Sequence, residues 1–411
     1  MTAQGVRGEQ LLSGGERFAP EPGFFAKLIA PGFTNILDRI DAGLERGSLI
    51  GHLPDGTTRM LGGRAPGFEA EVWLKDWRAL LRLATNGTIG WYQAYEAGEW
   101  DTNDMTATFA VMSDNVRTLG GTARSSGPFR WAAALAHRFN RNDKAGSQRN
   151  IAAHYDLGND FYAAWLDPSM TYSSALGCGE DGLEVAQQRK LEAMAERIGE
   201  PKTVLEIGCG WGSMAEHLAQ QGAKVAAISL SEEQLAYARQ RRDSSIEFRK
   251  QDYRDAAGQF DAIVSVEMVE ALGREYWPEF MDCVARNLKS GGRAALQYIS
   301  IEDDLFETYT GTADFIQAYI FPGGLLIKSS EFRQLAEARG LGWQDELRFG
   351  PDYAETLRIW RERFEDAVAH KRLPEGFDDR FVRLWRYYLA YCEAGFRVGN
   401  IDVHQVTLVK Q

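Results

Sequence analysis

The sequence predicts an α/β protein in two parts. A smaller N-terminal α+β domain precedes a larger one, in which helices cover both faces of a parallel sheet. Two observations predict this. From about residue 185, short apolar runs alternate with helical segments, as they do in sheets built from strand–helix–strand units. The first of those runs ends in Gly208-Cys209-Gly210-Trp211-Gly212 and passes directly into a helical segment.

The elements follow in chain order. The polar first fifteen residues read as a tail, and FFAKLIAPGFTNILDRI (24–40) reads as a helix. LIGHLPDGTTRML (49–61) reads as two strands around an Asp55-Gly56 turn, because Asp-Gly accepts the positive φ values of a tight hairpin. FEAEVWL alternates as a strand, and DWRALLRLATNG reads as a helix stopped at Asn86-Gly87. These elements make up the α+β domain, residues 16–120. Residues 121–150 form a linker with six basic residues, among them Arg124, Arg130, Arg138 and Arg141, against one acid, Asp143. Its Phe129, Trp131, Leu135 and Phe139 lie among those charges. Basic and large apolar groups together suit an anionic membrane surface, and the segment reads equally as a solvated linker.

The larger domain covers 151–411. LEVAQQRKLEAMAERIG is a helix, KTVLEIGCG a strand, SMAEHLAQQG a helix and KVAAISLS a strand. EEQLAYARQRR is a helix, and SIEFRKQD and FDAIVSVEM are strands. YWPEFMDCVARNLKSGG is a helix with its glycines as the stop, and RAALQYIS is a strand. FVRLWRYYLAYCEAGFRVG has a helical apolar stripe, and DVHQVTLVK closes as an alternating strand.

Composition narrows the function. The net charge of −12 repels phosphate backbones, so nucleic acid is an unexpected partner. The four cysteines form no CxxC pair, which points away from a zinc module or a disulfide scaffold. No metal site is expected. The polar start MTAQGVRGEQ does not read as a signal peptide, and a reducing cytoplasm is the expected compartment.

Glycines after a strand let the backbone pass close beneath a ligand. The dinucleotide fingerprint is not met, since Ser213 and Met214 follow Gly212, and the next strand ends in hydroxyls with no acid for a ribose diol. Glu206, just before the glycines, instead suits a ligand with a cationic amino group. S-adenosylmethionine carries one.

VLEIGCGWG, AISLSEEQ, QDYRD and SVEMVEALG, in this order, resemble the S-adenosylmethionine-dependent methyltransferases. HYDLGNDFYAAWLDPSMTYSSA, IFPGG, PDYAETLRIW and GFRVGNIDVHQVTLVK narrow the resemblance to the cyclopropane fatty acid synthase and mycolic acid cyclopropane synthase family. GWYQAYEAGEWDTNDM matches the smaller domain of the bacterial synthases more loosely. The resemblance implies a Rossmann-like class I methyltransferase domain. It also implies that Tyr172, Ser173, Gly208, Cys209, Gly210 and Gly212 touch the cofactor, together with Glu206. Ser229, Leu230 and Gln234 would take the ribose side, with Gln234 replacing the usual acid. Asp252 and Tyr253 would flank the adenine, and Val266 the methionine moiety.

An alkene attacking a sulfonium methyl leaves a carbocation that must be kept from water and then lose a proton. The resemblance implies a bound bicarbonate as the base. Its ligands map onto Glu270, Ile299, Tyr353, Ser174 in place of cysteine and Gln297 in place of histidine. Ala271 stands where the family has a second histidine. Ser174 and Gln297 still donate hydrogen bonds to an anion, but Gln297 cannot relay a proton as histidine does.

Two products therefore stay open: a cyclopropane ring, or a methyl-branched or methylated unsaturated chain of the kind that precedes furan fatty acids. A lipid-binding protein without catalysis and a small-molecule methyltransferase are weaker readings. The expected partners are an unsaturated phospholipid acyl chain, an anionic inner-membrane surface bound peripherally, and a second copy of the chain.

Overall fold

The structure, a computed structural model, describes residues 7–14, 32–120, 157–179, 181–241, 243–311 and 314–411. The linker 121–150 and the first half of the 24–40 helix lie outside them. Two compact units emerge. One comprises Met1–Asn140, Glu307–Pro322 and Gly376–Asn400; the other comprises Arg141–Phe306, Gly323–Glu375 and Ile401–Gln411.

The first unit holds a four-stranded sheet, ordered β2-β1-β3-β4. Its strands are β1 (Ser48–His52), β2 (Thr58–Gly62), β3 (Glu69–Leu74) and β4 (Trp100–Thr102). The Asp55-Gly56 hairpin forms as expected, with Asp55 Oδ1 accepting from the Thr57 amide at 3.0 Å.

Three expectations for this unit are corrected. The N-terminal stretch is not all tail, since its two leucines are apolar enough to drive burial: the helix Glu9–Gly14 buries Leu11 and Leu12. Asn86-Gly87 does not stop its helix. Gly87 takes φ 59° and kinks it, and the helix runs on to Glu96 because Tyr92, Ala94 and Tyr95 are buried beyond the kink. The segments 307–322 and 376–400, expected within the catalytic domain, group here. The reason is the aromatic stripe of the helix Asp379–Val398: the Tyr387 ring lies 5.1 Å from Tyr92, 4.7 Å from Phe109 and 4.5 Å from Phe315.

The second unit is a seven-stranded sheet, ordered β10-β11-β9-β8-β5-β6-β7. Its strands are β5 (Thr203–Ile207), β6 (Lys224–Ser229), β7 (Ile246–Lys250), β8 (Phe260–Val266), β9 (Leu288–Ile301), β10 (Leu341–Arg348) and β11 (Ile401–Lys410). β5 to β9 run parallel, and β11 pairs antiparallel with both β9 and β10. Apart from their first residues, β5 and β6 are buried throughout, as strands covered on both faces must be. Their side chains share one core with Leu191, Met194, Met214 and Leu218 of the covering helices.

The Gly291-Gly292 pair is not a helix stop. The helix ends at Asn287 and β9 begins at once, with the glycines inside it beside a register shift against β8. The Cβ that Gly292 lacks would stand 2.8 Å from the Asp261 carbonyl, so the neighbouring backbone demands glycine there.

Candidate active site

β5 ends between β6 and β8, where the sheet order departs in opposite directions. Open α/β sheets form their ligand crevices at such a point. A cavity of about 1100 Å³, its mouth included, lies there. Gly208, Gly210 and Gly212 all have positive φ, at 83°, 52° and 88°. A Cβ on Gly208 would stand 2.7 Å from Cγ of Met268, so the turn can take this path only as glycine.

Of the thirteen residues expected to touch a cofactor, twelve border this cavity and Gly212 does not. The Cα of Gly212 faces Phe248 and Ala238, where an added Cβ would lie 3.0 and 3.1 Å away. Its role is to let the helix Ser213–Gln220 close against the sheet.

Gln234 is buried, and its amide oxygen accepts from the Ser229 hydroxyl at 3.4 Å. The Asp252 carboxylate is gripped by Arg254, with Nε at 2.8 Å and Nη2 at 2.7 Å. The Tyr253 hydroxyl is buried with no hydrogen-bond partner among the described residues, and burial pushes its pKa well up. This donor set fits S-adenosylmethionine. Glu206 would face its cationic amino group, Ser229 and Gln234 its ribose hydroxyls, and Tyr253 would find a partner at the adenine end. Bound there, the cofactor would supply an electrophilic methyl group.

The sequence reading passed over Lys190. It lies on the buried face of the helix Leu183–Ile198 and borders the cavity. Its ammonium donates to the Ser173 hydroxyl at 2.6 Å. Burial lowers its pKa to about 8, against the fields of Glu267, Asp167 and Glu206, which favour the charged form. One signal was available: Lys190 falls on the apolar stripe of Leu183, Ala186, Leu191 and Met194. A turn earlier, Gln187 donates to the Ser173 carbonyl at 2.9 Å and so holds the Tyr172-Ser173-Ser174 segment against this helix.

The second missed residue changes the chemistry. Glu267 follows directly on β8, with φ 48°, and borders the cavity. Three groups converge on its carboxylate. Oε1 accepts from the Ser174 amide at 2.8 Å and from Gln297 Nε2 at 2.7 Å, and Oε2 accepts from the Tyr353 hydroxyl at 2.7 Å. Three of the residues expected around an external anion thus surround a carboxylate of the chain itself. Ser174 serves through its backbone, since its hydroxyl donates to the Ala175 carbonyl at 2.9 Å.

Glu270, expected beside Ser174, Gln297 and Tyr353 as a ligand of that anion, makes no hydrogen bond to them among the described residues. Its Oε1 accepts from the Ile299 amide, and its buried Oε2 has no partner among the described residues. Burial first, then the charge of Glu267, raises its pKa to about 8. Burial also raises Glu267, but the three donors and Lys190 oppose that rise. Both carboxyls are thus pushed up by burial, but the donors around Glu267 favour its ionised form, whereas Glu270 lacks such a set and has a like charge beside it.

The mycolic acid cyclopropane synthetase family model matches residues 142–406. The tuberculostearic acid methyltransferase UfaA1 of Mycobacterium tuberculosis is 38% identical over 353 residues, covering 80% of this chain and 81% of its own. The cyclopropane-fatty-acyl-phospholipid synthase of Escherichia coli K12 is 33% identical over 354 residues, covering 84% and 88%. Among solved structures, the cyclopropane synthase MmaA2 of Mycobacterium tuberculosis superposes with a TM-score of 0.59 at 28% identity, over 64% of this chain and 98% of its own. The mycolic acid cyclopropane synthase CmaA1 complexed with SAH and CTAB gives 0.59 at 27% identity over the same shares.

Proposed function

This chain belongs to the mycolic acid cyclopropane synthetase family of S-adenosylmethionine-dependent methyltransferases, and from that premise we propose that it methylates a carbon of an unsaturated fatty acyl chain with Glu267 as the base. One observation carries the reading: the Ser174 amide, Gln297 and Tyr353 all point hydrogen-bond donors at Glu267. The site therefore needs no borrowed bicarbonate.

The alkene π pair forms a new C–C bond to the methyl, the methyl's former bonding pair stays on the donor sulfur as a neutral thioether, and the neighbouring alkene carbon is left as a carbocation. A C–H bond adjacent to that carbocation gives up its proton to Glu267, and its electrons form a new alkene. Ionised Glu267 stabilises the cation before it accepts the proton. Glu270, being neutral, adds no second negative charge.

We favour a methylated alkene over a cyclopropane ring. A carboxylate anchored on the backbone reaches only the C–H bonds within its arc, whereas a bound ion adjusts to the methyl carbon. The greater identity to a relative named for tuberculostearic acid than to one named for cyclopropane synthesis supports the same choice. A saturated methyl branch would need a separate hydride donor. The acyl chain is proposed to be that of a membrane phospholipid, on the model of the E. coli relative's name.

The test is fragmentation mass spectrometry of lipids from a host expressing the protein. The expected product retains one double bond and carries a methyl branch; a ring with no double bond would overturn the product assignment. Glu267→Gln should cut turnover by about 10²- to 10⁴-fold, the usual range for a positioned base. Affinity for S-adenosylhomocysteine, measured by calorimetry, should stay within about twofold, because the variant keeps the shape of the cavity wall.

A further inference from the structure

The hydrogen bonds at Glu267 do not end at Gln297. Gln297 is fully buried on β9, and its amide oxygen accepts from Gln405 Nε2 at 3.0 Å, across the β9–β11 pairing. Gln405 is also fully buried, and its own amide oxygen accepts from Arg197 Nε at 3.2 Å. Arg197 lies half-buried in the last turn of the Leu183–Ile198 helix, and its Nη1 donates to the Asp345 carbonyl and to the Thr407 hydroxyl.

This chain has only one polarity. Guanidinium has donors and no acceptor, so Arg197 compels Gln405 to present its oxygen outward and its NH₂ inward. Gln405 then compels Gln297 to do the same. The Gln297 NH₂ group reaches Glu267 at 2.7 Å and the Ser174 carbonyl at 3.4 Å. Flipping either amide would set oxygen against oxygen in a dry interior, leaving buried groups unmatched. Aligned amides also polarise one another, so the Arg197 charge strengthens the last bond of the row.

We propose that Gln405 and Arg197 are positioning residues of the methyl transfer, a polarised row that turns the Gln297 amide donor onto Glu267. The proposal rests on Glu267 being the base. Neither Gln405 nor Arg197 borders the cavity, so both act through Gln297. The other groups facing Glu267 are independent of the row: Lys190 on its helix, Tyr353 on the helix Gly350–Ala369, the Ser174 amide and neutral Glu270.

Three substitutions and a pH profile test this. Gln405→Met keeps the side-chain length and removes both hydrogen bonds. Arg197→Met removes the orienting donor, together with the bonds to the Asp345 carbonyl and the Thr407 hydroxyl, from a half-buried position and leaves both amides in place. Arg197→Lys keeps a cationic donor. Donation to a carboxylate favours its ionised form, so losing the row raises the pKa of Glu267 and moves the acid limb of kcat to higher pH. The expected shift is about one pH unit for Gln405→Met, less for Arg197→Met and near zero for Arg197→Lys, with KM and S-adenosylhomocysteine affinity within about twofold of wild type. Profiles of Gln405→Met and Arg197→Met that superpose on wild type would overturn the row. Glu267→Gln is measured alongside: if it retains turnover, the base assignment itself falls. If it loses turnover while both other profiles stay put, only the row falls.

Discussion

Two carboxylates three residues apart, Glu267 and Glu270, hold their protons differently because they face different neighbours. The first collects three donors, and the second has one amide and an unpartnered oxygen. The consequence for stability has a definite sign. Glu270 binds its proton more tightly folded than unfolded, so its contribution is fully present below about pH 4.5 and is lost as pH rises towards about 8. Glu270→Gln removes that loss. Its melting temperature should fall less than that of wild type between pH 5 and pH 8.5, and equal falls would show that Glu270 is already ionised in the folded protein. Since glutamine mimics the neutral carboxyl, turnover near pH 7 should survive the change. Residue types were legible where a motif demanded them, as with Glu206 or Tyr172. Glu267 was not legible, because SVEMVEALG carries two acids and the resemblance points only to Glu270. Which acid meets Gln297 and Tyr353 depends on the φ of 48° at Glu267 and on the seat of the Tyr353 helix.

The turn after β5 shows how an element is written in sequence. An apolar strand, three positive-φ glycines and an immediate helix start make a loop that borders the cavity with Gly208 and Gly210 and packs against the sheet at Gly212. Gly208→Ala places a methyl 2.7 Å from Met268 in a left-handed conformation. It should cost roughly 1–3 kcal/mol in urea unfolding and weaken S-adenosylhomocysteine binding more than tenfold. A variant that binds normally would mean that the loop lies away from the ligand. Local signals failed where tertiary burial outweighed them: Gly87 kinks a helix that carries on because Tyr92 and Tyr95 have a core to enter. Gly291 and Gly292 sit inside β9 because pairing with β8 and β11 supplies the backbone bonds.

Across the whole molecule, the chain does not divide at one point. The helix Asp379–Val398 belongs with residues nearly 300 positions earlier, as the ring contacts of Tyr387 with Tyr92 and Phe109 show. No helix among the described residues is long and apolar enough to cross a membrane. The phospholipid substrate proposed above would be met at a membrane surface. The linker's arginines are the candidates for that contact in an otherwise acidic protein. Replacing Arg130, Arg138 and Arg141 by serine should reduce co-sedimentation with anionic vesicles several-fold at low salt, with the difference shrinking as salt screens the charges. Unchanged sedimentation would remove the linker from the membrane contact.

Sequence alone determined the alternating strands and helices, the glycine turn and the class of cofactor, because these rest on local periodicity and on backbone conformations that only certain residues adopt. Tertiary structure decided which carboxylate the donors surround and how Gln297, Gln405 and Arg197 line up. It also decided which unit the aromatic helix joins. Those outcomes depend on side chains far apart in the chain meeting in a dry interior, where every donor must find an acceptor and no short stretch of sequence records the match.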